Sequence, residues 1–262
     1  MNLIEMVKAA GVVGAGGAGF PTHVKLNTKV EYFIVNAAEC EPLIETDKYL
    51  CRTFADRIIR TIPQIAEAIG ASKKVIALKG AYEKEIAALK DAIREQNSDV
   101  EIFELGYFYP AGDEQTLIQQ VTGRCVPERG LPSDVGCVVD NVGTVLNIAD
   151  ALEGKAVTEK YLSVVGEVEH PIQLRVPIGT PVLECVKAAH PTVSDFALIM
   201  GGPMMGKQLT EQAAMEQAVV TKTTGNILVL PKDHYLFRKA SLPMETVRKQ
   251  TKRACLQCKM CT

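Results

Sequence analysis

The sequence predicts an α/β protein: a Rossmann-like open sheet, then a small β-grasp (α+β) module, then the start of a ferredoxin-like Fe–S segment. Three observations predict it. Short β-branched runs alternate with amphipathic stretches as far as Leu152, the pattern of an open, largely parallel sheet. Beyond Gly154 two strand-like runs precede a helix and a further strand within a short span, which fits a β-grasp. The chain closes on Cys255-x-x-Cys258-x-x-Cys261, the opening of a bacterial ferredoxin run. The corresponding divisions are 1–155, 156–232 and 233–262.

Taken in order, Leu3, Met6, Val7 and Ala10 recur at helical spacing behind an Asn2 cap and stop at Gly11. Gly14, Gly16, Gly17 and Gly19 follow within six positions, so backbone N–H groups can approach an anion without a Cβ in the way. Gly14, Gly16 and Gly19 satisfy G-x-G-x-x-G, but that fingerprint needs a strand before it, and here a helix precedes. A helix is predicted to restart near Pro21, bringing Lys25 behind the loop.

Tyr32–Val35 reads as a buried strand ending at Asn36, with the turn Asn36-Ala-Ala-Glu39-Cys40-Glu41-Pro42 at its C-terminal end, where α/β sheets gather ligands. Phe54–Ile69 is an amphipathic helix in which Pro63 predicts a kink or break. Lys74–Lys79 is a strand, Tyr82–Glu95 a helix closed by Asn97, and Val100–Leu105 a strand. The segment from Tyr109 through Gly112, Asp113 and Glu114 enters a helix that runs through Val121 and stops at Gly123. Gly136–Asp140 is a strand, and a helix opens at Asn141 and continues to Leu152. In the second module Tyr161–Val168 and Gln173–Val176 form a hairpin, Pro181–Ala189 a helix, and Ala197–Met200 and Asn226–Leu230 strands. The basic segment after Phe237 reads as a solvated helix face.

Composition excludes several classes. With 262 residues, 47% of them apolar, the chain can bury a full core, and a net charge of -2 leaves no basic field for nucleic acid. Tryptophan is absent, and no apolar run reaches the roughly 18 residues of a membrane span. No secretion signal opens the chain, so a cytoplasmic protein with reduced thiols is expected. The remaining cysteines and the four histidines are scattered, at no spacing that forms a zinc site or hydrolase triad.

Four ordered motifs carry a family resemblance: GAGGAGFPTHVKL (14–26), VNAAECEP (35–42), YPAGDEQTL (109–117) and NVGTVLNIADAL (141–152). Together they resemble the FMN- and NADH-binding subunit of respiratory complex I. They are more similar still to the C subunit of Rnf electron-transport complexes and to the cobalamin reductases of propanediol-utilisation microcompartments. The likeness covers nearly the whole chain, and the run PIGTPVLECV with ALIMGGPMMG resembles the soluble-ligand-binding β-grasp (SLBB) domain of the same family.

The resemblance implies an NADH-dependent oxidoreductase that oxidises NADH through FMN and passes electrons to a 4Fe–4S cluster and a downstream acceptor. It assigns Gly14, Gly16, Gly17, Gly19, Lys25, Asn36, Gly112, Asp113, Glu114, Asn141 and Thr144 to FMN, with Glu114 the catalytic residue nearest the flavin face. Phe20, Glu39 and Glu41 fall to NADH, and Cys255, Cys258 and Cys261 to the cluster, which lacks its fourth ligand before Thr262. The family continues past that point, so the chain reads as a fragment. The implied partners are NADH, a redox protein or downstream Fe–S domain, and cobalamin or a membrane Rnf-type complex. The implied setting is the cytoplasm, peripheral to such a complex or in a microcompartment.

Four positions depart from the complex I pattern: Ala15 for arginine, Ala38 for aspartate, Leu26 for an aromatic and Asp140 for a second asparagine. Each weakens the nucleotide and flavin sites as complex I builds them. They point to an alternative reading, a docking or ligand-binding subunit with a degenerate nucleotide site, in which Glu39 and Glu41 are plain loop carboxylates.

Overall fold

A computed structural model describes residues 1–257. The first sheet holds β1 (Tyr32–Asn36), β2 (Lys73–Lys79), β3 (Glu101–Leu105) and β4 (Cys137–Asn141) in the order β3-β2-β1-β4, every pair parallel. Chain order reverses beside β1, and a crevice opens outside the strand ends at such a switch point. Asn36 and Asn141 are paired in register there, at the C-terminal ends of β1 and β4.

Helices cover the sheet. On one face lie α1 (Leu3–Ala9), α4 (Ala55–Ile69), α5 (Glu83–Glu95) and α7 (Val142–Leu152), packed with Phe33, Val35, Ile76 and Val138. On the other, α6 (Glu114–Thr122) seats Leu117 and Ile118 against Ile34, Ala77 and Val139. α2 (Thr22–Lys25) and α3 (Thr46–Thr53) are short and stand beside the switch point.

α4 runs unbroken through Pro63. A proline inside a helix costs about 3 kcal/mol. Ile58, Ile59, Ile62, Ile65 and Ile69 are fully buried along one stripe, and each isoleucine is worth roughly 1.5–3 kcal/mol on burial. The stripe outweighs the missing bond, so the expected break does not occur.

The second sheet comprises β5 (Glu159–Gly166), β6 (Ile172–Pro177), β7 (Phe196–Met200), β8 (Lys207–Leu209) and β9 (Asn226–Pro231), in the order β6-β5-β9-β7-β8. The hairpin β5–β6 is antiparallel, and β9 lies parallel to β5 in the middle of the sheet. A hairpin, a helix and a closing strand set parallel to the first is the β-grasp arrangement. α8 (Val182–Ala188) and α9 (Gln212–Gln217) pack on it through Val182, Cys185, Val186 and Met215. α10 (Tyr235–Ala240) contributes Phe237 to the opposite face, whereas α11 (Met244–Ala254) buries nothing, as its charges led one to expect.

Candidate functional site at the glycine loop

The loop between α1 and α2 is pinned at its base and open at its tip. The Gly14 N–H donates to Phe20 O at 2.9 Å and the Thr22 N–H to Val12 O at 3.2 Å, so both ends are closed. Ala15 is buried, and its N–H donates 2.9 Å to Thr144 Oγ1, a fully buried hydroxyl in the first turn of α7. Gly16, Gly17 and Ala18 are exposed, with Gly17 at φ 131° and Gly19 at φ 67°. Among the described residues the N–H groups of Gly16, Gly17, Ala18 and Gly19 meet no protein acceptor. Four adjacent free amides in a loop with positive φ make an anion-binding nest.

Asn141 braces the loop from behind. It caps α7 by accepting from Gly143 N–H at 2.8 Å, and its amide donates 2.7 Å to Asp47 Oδ2 on α3. A Cβ on Gly16 would stand 3.3 Å from the Asn141 Cβ, so the loop rests against that side chain. Burial raises the Asp47 carboxyl above its ordinary range, against the pull of Asn141 and Lys160.

Lys25 does not point at the amides. Its ammonium donates 2.9 Å to Glu114 Oε1 and 2.8 Å to Val139 O, and it lies 3.9 Å from Asp140 Oδ1. Burial, with Glu114 nearby, pushes Asp140 up to about 7 although Lys25 opposes it. Two buried polar side-chain atoms lack a partner among the described residues, Asp140 Oδ2 and Thr22 Oγ1, and both flank Lys25 in the chain or in space. Unpartnered atoms of this kind are uncommon in a core and fit a site that receives a polar ligand.

The other two motifs are locked together. The Asn36 amide donates 2.8 Å to Gly112 O and its carbonyl accepts from Ala38 N–H at 3.0 Å. Gly112 comes so close that a Cβ there would fall 2.2 Å from Ala38 O. Asp113 caps α6 by accepting from Thr116 N–H, and that orients Glu114 in the first turn.

The residues assigned to a nucleotide are spread apart. Phe20 is half exposed at the tip of the loop. Glu39 is drawn inward; burial, with Asp47 nearby, raises its carboxyl to about 7, and it accepts from Glu41 N–H. Glu41 instead reaches the second sheet, where its Oε2 accepts 2.7 Å from Met204 N–H and 3.2 Å from Met205 N–H, in the turn between β7 and β8. A Cβ on Gly202 would lie 2.1 Å from that oxygen. Gly202→Ala is therefore expected to expel Glu41 and release this tie between the sheets. Amide hydrogen exchange should quicken at Met204 and Met205 and stay unchanged in β1; unchanged exchange in the turn would refute it.

Cys255 is exposed at the end of α11, while Cys258 and Cys261 lie outside the described residues. Among the described residues no group of three or more His, Cys, Asp or Glu is placed to hold a metal. None of the helices there is long and apolar enough to cross a membrane. Sequence reasoning missed Asp47 and Lys160, since one sits on an unpredicted short helix and the other on a strand of the second sheet.

Comparison with known proteins places this geometry. The Nuo51 FMN-binding domain matches residues 7–150, which hold the glycine loop, the Asn36 and Gly112 turns and the start of α7. The cobalamin reductase PduS of Citrobacter freundii is 46% identical over 260 residues, covering 98% of this chain and 56% of that protein. The C subunit of the Na(+)-translocating ferredoxin:NAD(+) oxidoreductase complex of Acetobacterium woodii is 36% identical over 236 residues, covering 87% and 52%. The chain thus spans about half the length of these relatives. A crystal structure of an NAD+-reducing [NiFe]-hydrogenase in the H2-reduced state superposes with a TM-score of 0.76 at 25% identity, over 88% of this chain and 47% of that one. The chain belongs to the Nuo51 FMN-binding domain family.

Proposed function

We propose that the chain is the flavin-binding part of an electron-transfer oxidoreductase that takes electrons from NADH through FMN and hands them to a 4Fe–4S cluster and an acceptor further along. The observation that carries it is the row of four free amides at Gly16–Gly19, backed by Thr144 and Asn141. The residues fit FMN: the nest suits a 5′-phosphate, and the unpartnered Asp140 Oδ2 offers a polar group beside Lys25 and Glu114. FMN, when bound, supplies exchange between two-electron and one-electron donors and acceptors. The protein's part is to hold the phosphate at the loop, keep the Asn36 and Gly112 turns together, and present Glu114, tethered by Lys25, to the bound group.

Relatives named cobalamin reductase and ferredoxin:NAD(+) oxidoreductase support an oxidoreductase role, in a cytoplasmic, membrane-peripheral or microcompartment setting. Cys255, Cys258 and Cys261 supply three thiolates, and a cubane cluster takes four. The acceptor cluster thus needs a further ligand from outside this chain, and the β-grasp module is read as an SLBB-type domain.

A second reading, a docking subunit with a spent nucleotide site, draws on Glu41, whose carboxylate is already held by two amides of the second sheet. An anaerobic titration separates the two. The protein is loaded with FMN, excess is removed, and NADH is added while the visible flavin band is followed. Bleaching that slows at least about tenfold in Glu41→Ala is expected, the order of one lost charged contact. Flavin retained but unbleached would assign another donor, such as a reduced ferredoxin; no flavin retained would leave the docking reading.

A further inference from the structure

The glycine loop is held from two sides, and only one of them belongs to the first sheet. Ala15 N–H is taken by Thr144 on α7. Ala15 O accepts 3.2 Å from the ammonium of Lys160, which comes from β5 of the second sheet and is only 8% exposed. The Ala15–Gly16 peptide is trans, so its carbonyl and its N–H face opposite ways. Fixing Ala15 O inward on Lys160 therefore turns the Gly16 N–H outward, as the first of the four free amides. Lys160 also places a cation beneath a loop built to receive an anion.

Its surroundings suit that task. Asp47 on α3 is the charged group that acts on Lys160, and its carboxylate is shared with the Asn141 amide that braces Gly16. Other partners of Ala15 and Asn141 are neutral. A buried lysine among apolar strands would be costly; here it has one carboxylate and one carbonyl, and the carbonyl is the loop's. Burial lowers its amine to about 8, with Asp47 opposing.

We infer that Lys160 is a positioning residue for the phosphate-binding loop: through Ala15 O it orients the Gly16 amide and makes the second sheet part of the recognition of the ligand's phosphate. The inference rests on the flavin reading above. It concerns the phosphate alone, and this separates it from a general role in stability. FMN and riboflavin differ by that phosphate, so the ratio of their affinities isolates the loop.

The test measures binding of FMN and of riboflavin by flavin fluorescence, in the parent chain and in Lys160→Met. The parent is expected to prefer FMN. Lys160→Met should lower that preference about tenfold, the order of one charged hydrogen bond, while riboflavin affinity changes less than twofold. An unchanged preference, or equal loss for both ligands, would overturn the inference and leave the flavin reading intact. If the parent binds neither ligand, the flavin reading fails and the inference with it. A measurement on the parent covers a variant that does not fold. Above pH ~7 the phosphate is already a dianion, so its own ionisation no longer changes the preference. The FMN preference should then fall as the pH rises past about 8 and the lysine discharges; a flat ratio to pH ~10 overturns the inference.

Discussion

Gly112→Ala is expected to destabilise the chain by about 2–3 kcal/mol and to weaken FMN binding by at least about tenfold. The added Cβ would fall 2.2 Å from Ala38 O and 3.0 Å from Cys40 Sγ, and the first of these is backbone, which no rotamer change relieves. Either the turn after β1 or the turn before α6 must move. Asn36 ties those turns by donating to Gly112 O and accepting from Ala38 N–H, so moving one breaks a buried amide's bonds on both sides. Urea unfolding and FMN titration check it together. A stability loss without any loss of FMN affinity would show that the two turns form no part of the flavin site.

Asp140→Asn is expected to stabilise the protein by about 3 kcal/mol at pH ~8 and by almost nothing at pH ~4. Asp140 is 3% exposed, its Oδ2 has no partner among the described residues, and Lys25 stands 3.9 Å from Oδ1, too far for a hydrogen bond. Its folded carboxyl titrates at about 7, well above the ~3.9 of an unfolded aspartate. Between those values the native chain keeps a proton that the unfolded chain has lost. Stability therefore falls as pH rises through that window, by about 1.4 kcal/mol per unit, and the whole penalty is present above pH ~7. Asparagine removes it and leaves Lys25 its Glu114 and Val139 partners. Urea midpoints across pH should show the parent and variant converging at acid pH. Glu39 and Asp47, both raised by burial, preserve a residual slope in the variant. Parallel profiles would refute the assignment.

Much of the architecture was legible because the first sheet is buried on both faces. Val35, Ile76 and Val138 sit in short apolar runs, and α4, α5 and α7 show the helical period that faces them. Elements with little burial left no such trace. α3, β8 and α9 are short and largely exposed, so α3 escaped notice although it carries Asp47. Pro63 misled for the opposite reason, since tertiary burial overrode a local rule.

The site divides in the same way. The loop itself announced its chemistry, because glycine density is a local property of the sequence. What the loop leans on was invisible: Lys160 looked like one more strand lysine, and nothing near Glu41 indicated the amides of Met204 and Met205. Contacts across such separations follow from topology, which residue spacing does not encode.

The position of β9 carries a consequence for synthesis. The glycine loop leaves the ribosome early, but its backing on Lys160 belongs to a sheet whose central strand is β9, and the Thr223 methyl that a Cβ on Gly19 would meet at 3.1 Å comes from the segment just before it. At 5–20 residues per second that strand emerges roughly 10–40 s after the loop. A nascent chain therefore carries the recognition loop unfinished until its closing strand is translated, and capture of the ligand by a growing chain reports that this strand has docked.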